Sequence, residues 1–295
     1  MNNADPQRTQ QDIDLFTERN GVFVPRSPVH HRDEEYDPRW FEILIRMQRD
    51  HFWYCGRSRF LLRALYDELP RIRTTAGTLT AIDIGGACGG WIEFLHNSDK
   101  IAFGQLALGD SSLEALTSAG PIVGSFATRY QVDVLDLGWE DRWDVIFLLD
   151  VLEHIPADEA AVSQVAKALR PNGLLFVTAP AMRFFWSYND EITHHLRRYS
   201  RRDMERLAQE AGMRLVKLRY FMFFLSPLLW LRKLTRVNVQ RMTPEEKRAV
   251  LARTHSIPSA PLNRLLRSVF SLETPLGLKL PFPWGTSILG VFQKI

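Results

Sequence analysis

The sequence predicts an α/β protein built on a doubly wound, mostly parallel sheet. Three observations lead there: short apolar runs alternate with amphipathic stretches from residue 79 onward, seven such runs occur, and a glycine-rich turn follows the first. The expected strands are 79–84, 105–109, 129–134, 144–149, 174–179, 214–221 and 286–293. Helices are expected between them at 89–96, 111–118, 157–169 and 202–211, the last stopping at Gly212, a residue suited to a left-handed cap. Upstream, Phe41, Ile43, Leu44, Met47 and Phe52, then Phe60, Leu61, Leu62, Ala64 and Leu65, recur at helical spacing, so two helices precede the first strand.

Residues 1–38 are polar, carry His30, His31 and the run Asp33-Glu34-Glu35, and read as a tail or irregular arm. The body of the domain then covers 39–221. A long excursion, 222–285, is rich in Leu, Arg and Pro and reads as an insertion or lid, and 286–295 returns as the last strand.

Composition narrows the function classes. Of 295 residues, 45% are hydrophobic and 24% charged, as in an ordinary globular protein, and the net charge is only +3. Lys and Arg are scattered, which gives nucleic-acid binding no support. The two cysteines, Cys55 and Cys88, form no CxxC pair, so neither a disulfide framework nor a metal site is expected and a cytoplasmic setting fits. The polar N-terminal segment lacks an apolar signal core. The most apolar run, Tyr220 to Leu231, is shorter than the roughly 20 residues of a spanning helix and contains Pro227. Its flanks, Arg219, Arg232, Lys233 and Arg236, leave two readings open: a strand followed by the core side of a helix, or a segment that touches a membrane surface or receives a lipid tail.

Ligands of doubly wound sheets bind at the carboxyl ends of the strands. There the first strand ends in Asp83 and runs into Gly85-Gly86-Ala87-Cys88-Gly89-Gly90. Such a turn lets a ligand approach the backbone and presents amide N–H groups at a helix N-terminus. Alone it does not separate a ligand site from a tight turn, and Ala87 breaks the dinucleotide fingerprint G-x-G-x-x-G. Two further strand-end acids add weight. Asp110, beside Ser111, lies about 20 residues on, where an acid holds ribose hydroxyls, and Asp133, beside Val134, suits an exocyclic adenine amine. A nucleoside ligand is the expectation.

The stretch Asp83-Ile-Gly85-Gly-Ala87-Cys-Gly89 resembles the first motif of the class I S-adenosyl-L-methionine-dependent methyltransferases, with Ala87 in place of the central glycine. The likeness continues through Trp143 to Ile155, which includes Asp150, Val151, Glu153 and His154, and through Leu169 to Val177. Looser similarity to bacterial small-molecule and lipid-modifying members extends to His51–Arg57, to Asn189–Tyr199, where His194 replaces their glycine, and to Leu280–Val291. The resemblance implies a Rossmann-like seven-stranded fold and S-adenosyl-L-methionine (SAM) as cofactor. It also implies methyl transfer to a small-molecule or lipid-like acceptor, with oxygen first and nitrogen or sulfur open.

Methyl transfer from a sulfonium is an in-line displacement, so positioning and exclusion of water dominate, while a protonated acceptor also needs a base. His154, after strand four, and His195, after strand five, are the candidates; each also reads as a packing or capping residue. Trp186, Tyr188, Asp190, Arg198 and Tyr199 surround His195 and suggest an acceptor pocket, or else a braced loop. Tyr54 and Arg57 are placed to fold over the cofactor, Arg57 pairing the methionyl carboxylate. An NAD-dependent oxidoreductase and a catalytically silent SAM-binding partner protein are the alternatives.

Overall fold

The strand runs from 79 to 180 are apolar on both faces, and strands of that kind need helices on both sides of a parallel sheet. The computed structural model describes residues 9–29, 41–72, 77–98, 100–232, 239–243, 246, 249, 250, 253 and 256–295. The helices are α1 Gln10–Leu15, α2 Phe41–Asp50, α3 Phe52–Glu68, α4 Gly90–His96, α5 Leu113–Ser118, α6 Gly120–Val123, α7 Asp158–Ala168, α8 Tyr188–Ile192, α9 Arg201–Glu210, α10 Ser226–Arg232 and α11 Ala260–Lys279. The strands are β1 Phe16–Arg19, β2 Val22–Pro25, β3 Leu79–Ile84, β4 Phe103–Asp110, β5 Ala127–Gln131, β6 Trp143–Leu149, β7 Leu169–Pro180, β8 Met213–Phe221 and β9 Ser287–Lys294.

They form one sheet in the order β1-β2-β5-β4-β3-β6-β7-β9-β8. Strands β3 to β7 run parallel, and β9 pairs antiparallel with both β7 and β8. Strand β8 therefore points the same way as β7, and its end at Phe221 lies level with Pro180, both opposite Ser287. Residues after β8 and before β9 thus share the carboxyl edge with the turns after β3, β6 and β7.

Period-two alternation divides the core. Ile82, Ile84, Ile146, Leu148, Leu175 and Val177 join one buried cluster with Trp139 and Trp143, while Ala81, Val145, Phe147, Leu149, Leu174 and Phe176 join another with Phe60 and Phe270. The second cluster is closed by α11, which packs on α3 so tightly that a Cβ on Gly56 would lie 2.0 Å from the Phe270 ring. The described part of the 222–285 excursion is thus built into the core through Leu266, Phe270 and Leu278. Lys233 and Arg236 lie outside the described residues.

Two expectations need correction. The sheet has nine strands where seven were expected, because residues 16–25, read as part of an irregular arm, form a hairpin whose second strand adds to β5 through Phe23 and Tyr130. The physical reason lies at Asp12. Thr9 and Asp12 close a capping box at the start of α1, and the same Asp12 carboxylate, fully buried, accepts from Arg142 at 2.9 Å and from the Trp139 indole at 3.1 Å. A largely polar segment is thereby pinned by a buried ion pair, together with Phe16, Val22 and Phe23, which are buried in the core. Strand three also ends earlier than 134: Asp133 and Val134 follow β5, and Asp133 accepts the Leu135 N–H at 2.9 Å in a tight turn.

Removing Asp12 leaves the Arg142 guanidinium buried and half-satisfied. Asp12→Ala should cost about 3–5 kcal/mol in urea unfolding, whereas a change below about 1 kcal/mol would show that the hairpin is not tied by this pair.

Candidate functional site

The turn after β3 is held from its neighbour strand. Gly85 and Gly86 donate their N–H groups to the Gly109 carbonyl at 2.8 and 3.3 Å, and the Asp110 carboxylate accepts the Ala87 N–H at 2.9 Å and the Ser112 N–H at 2.9 Å. Gly85 and Gly89 have φ of 77° and 80°, a region where glycine is at ease, and Ala87 sits at 48° with a Cβ in place. Against Gly85 stands Val151, whose methyl would meet a Cβ there at 2.5 Å, and Gly86 rests on Asp83 and Leu108.

Beside this turn is a cavity of about 130 Å³ lined by Leu44, Gln48, Trp53, Tyr54, Arg57, Asp83, Gly85, Gly86, Ala87, Trp91, Leu149 and Asp150. A larger hollow of about 350 Å³ lies between α3 and α11, away from the strand ends, and brings together none of the expected site residues. The small cavity has the relevant chemistry. Arg57 bonds Asp150 through one terminal nitrogen, and its guanidinium lies 4.9 Å from the Trp53 ring centre and 5.3 Å from that of Tyr54. Thr178 donates to the same Asp150 at 3.1 Å. Three buried polar atoms of the lining residues lack a partner: Oδ1 of Asp83, Nε of Arg57 and the indole Nε1 of Trp91.

Burial lifts the Asp83 carboxyl to about 7; Arg57 opposes the rise and Asp110 and Asp150 add to it. An orphan acceptor and an orphan donor on one small cavity match the ammonium and carboxylate of an α-amino acid, the end group that SAM carries. The expected pairing of Arg57 with that carboxylate is modified: one terminal nitrogen is committed to Asp150, while Nε is a buried donor without a partner.

The other expected residues separate into two groups. Asp110 is buried and serves first as the clamp of the turn. Ser111 accepts from the Gln131 amide through its carbonyl, and Val134 is core. After β7, the residues expected to line an acceptor pocket act largely as a brace. The Asp190 carboxylate is 1% exposed and takes Arg198 through two bonds of 2.7 and 3.0 Å, Ser187 N–H at 2.8 Å and the His195 Nδ1 at 3.0 Å. Although burial pushes its pKa up, His195 and Arg198 win and hold it at about 2. Tyr199 is core as well, its hydroxyl set between the Leu152 carbonyl at 3.0 Å and Asp158 at 2.8 Å. Asp190, Arg198 and Tyr199 thus spend their polar atoms on the protein itself, as in the braced-loop reading of this segment. Trp186 and Tyr188 remain half-buried on the same loop. His194 has φ of 58°, the left-handed backbone that a glycine would accept most easily.

His154 and His195 meet. Their rings are 4.9 Å apart, edge to face, and Glu153 adjoins both. Sequence reasoning missed the cavity walls Leu44, Gln48, Trp53 and Trp91, which lie on helices whose apolar spacing signals only packing, and it gave Glu153 no separate role.

Between pH 3.8 and about 7 the folded state keeps a proton on Asp83 that the unfolded chain has released, so stability falls as pH rises through that window and stays low above it. Melting temperatures of the ligand-free protein should show this fall, and Asp83→Asn should lessen it. An unchanged pH slope in the variant would mean that Asp83 is not held protonated.

Comparison with known proteins gives the family. The profile of a family described as a methyltransferase domain matches residues 50–218, more than half of the chain. Among solved structures, a candidate sarcosine dimethylglycine methyltransferase from Galdieria sulphuraria is similar at 15% identity and a TM-score of 0.52, over 81% of this chain and 85% of that one. The complex of the Haloferax volcanii Trm112 methyltransferase activator with a candidate methyltransferase matches at 14% identity and a TM-score of 0.51, over 87% and 96%. At these identities the structures speak for the fold alone. No curated protein is similar to the chain at a significant level. With the strand order, the turn after β3 and the matched residues together, the oxidoreductase alternative falls away: the chain belongs to the methyltransferase-domain family and is a SAM-dependent methyltransferase.

Proposed function

We propose that the protein transfers the methyl group of SAM to an oxygen of a small-molecule, lipid-like acceptor that enters over an apolar shelf at the carboxyl edge of the sheet. One observation carries this reading. Phe224, Leu228, Trp230, Leu231, Leu280 and Trp284 are 41–55% exposed, and they flank the end of β8 and the start of β9, the edge shared with the Asp83 turn and with His154. The two halves of the shelf are joined: Phe223 stacks on Phe282 at 4.6 Å, lies 4.8 Å from Trp284, and the Trp284 indole donates to Ser226. Soluble proteins seldom leave so many large apolar groups together unless something covers them. Such a shelf also suits peripheral contact with a membrane surface; among the described residues no helix is long and apolar enough to cross one.

When bound, SAM supplies a methyl group on a positively charged sulfur. Asp83 Oδ1 and Arg57 Nε would hold its ammonium and carboxylate, Gly85, Gly86, Ala87 and Gly89 would let it approach the backbone, and Asp110 and Asp133 would face ribose and adenine. Asp150 and Val151 form the wall toward the acceptor. His154 and His195 would stand on the side from which the acceptor oxygen sheds its proton as it takes the methyl group.

Incubation with labelled SAM and separate lipid and water-soluble extracts, read by mass spectrometry, should place the label on oxygen in a lipid-fraction product. Label confined to water-soluble products, or to nitrogen or sulfur, overturns the corresponding half of the reading. Asp110→Ala should weaken SAM binding at least about tenfold, since it frees the turn; titration calorimetry with circular dichroism as the folding control measures this, and unchanged affinity would remove Asp110 from the site.

A further inference from the structure

Glu153 is a buried carboxylate with an unused oxygen. It lies on the 3-10 turn Leu152–His154 directly after β6, is 1% exposed, and its Oε2 has no hydrogen-bond partner. The neighbouring arginines are committed elsewhere, Arg57 to Asp150 and Arg198 to Asp190. A buried carboxylate in that condition is costly unless a proton or a cation satisfies it.

Two imidazoles face it. The loop after β7 is fastened to this turn by the Leu196 N–H, which donates to the Glu153 carbonyl at 2.8 Å, and this brings His195 Nε2 to 4.0 Å from Glu153 Oε1. One ligand atom from each of Glu153, His154 and His195 lies within 4.8 Å of the others. A tetrahedral cation with bonds of about 2.1 Å sets its ligand atoms about 3.4 Å apart, so side-chain rotation of about an ångström closes the set. His195 is already oriented for this: Asp190 takes its Nδ1 at 3.0 Å, which leaves Nε2 turned toward Glu153. A carboxylate behind an imidazole in this way is the usual outer support of a metal-binding histidine.

We propose that Glu153, His154 and His195 form a binding site for a divalent first-row transition cation of the zinc type. Two imidazoles and one carboxylate favour such ions over magnesium or calcium, and three protein ligands leave a position open. Resting on the acceptor reading above, that open position takes the acceptor hydroxyl. The cation would lower the pKa of that hydroxyl so that its proton passes to solvent water, and the acceptor oxygen would form its bond to the methyl carbon as the C–S bond breaks and neutral S-adenosylhomocysteine leaves with the electron pair. The two histidines then act as ligands rather than as the base.

The test uses full-length protein treated with a chelator and titrated with Co²⁺ by visible absorption and with Zn²⁺ by calorimetry, while SAM binding is measured on the same samples. The expected result is one Co²⁺ per chain, displaced by Zn²⁺, with affinity at least about tenfold weaker in Glu153→Gln and in His154→Ala; SAM affinity and circular dichroism should be retained in the partly exposed His154→Ala. Wild-type protein that binds SAM but takes up no stoichiometric Co²⁺ overturns the metal site and leaves the methyltransferase reading standing. Uptake that both variants leave unchanged overturns the assignment of the ligands. One Co²⁺ per chain with no oxygen-methylated product overturns the acceptor reading alone.

Discussion

The end of β4 determines where everything else in the site can stand. Its Gly109 carbonyl and Asp110 carboxylate together take three consecutive amide groups of the turn after β3, at Gly85, Gly86 and Ala87. A turn with left-handed residues at 85, 87 and 89 has little intrinsic preference for one shape; hydrogen bonds to a charged acceptor in a buried setting give it one. Once the turn is fixed, α4 starts at Gly90, Gly85 meets Val151, and the ends of β3 and β6 are brought together around the cavity.

Charge at that edge is deliberately unbalanced. Asp83, Asp110, Asp150 and Glu153 gather there, opposed by Arg57 and, at Glu153, by Arg198 as well, and burial raises the pKa of Asp83 and of Glu153. In a low-dielectric cavity, unpaired carboxylates favour a positively charged visitor over a neutral one. A sulfonium with an α-ammonium group answers that demand, which is why the buried acids are better understood as a recognition surface than as contributors to stability.

The loop after β7 shows the opposite economy. Asp190, Arg198, Ser187 and the carbonyls of Ala181 and Thr286 satisfy one another, and Tyr199 ties the loop to Leu152 and Asp158. The density of polar and aromatic residues there reflects the need to hold an irregular segment rigid on a sheet edge. What the brace presents is His195, placed beside Glu153 and His154, with the half-buried Trp186 and Tyr188 on the same loop.

Much of the fold was legible in the sequence because local patterns determine it: the seven expected strands and the helices among them follow from period-two and helical spacing, and their observed bounds lie within a few residues, except that β7 begins five earlier. The donor turn was legible for the same reason, since Asp83 and its glycines are contiguous. Residues 10–25 were not legible, because the three residues they bury, Phe16, Val22 and Phe23, make too short an apolar pattern, and the ion pair that ties them down, Asp12 with Arg142, joins positions 130 apart. Nor were the partners within the site. Asp110 as a clamp, Arg57 on Asp150 and the meeting of Glu153, His154 and His195 are contacts across 23, 93 and 41 or 42 positions. Composition and periodicity determined which chemical groups reach the carboxyl edge. Only the packing of strand ends against one another decided which of them bond to each other and which keep a free lone pair for a ligand.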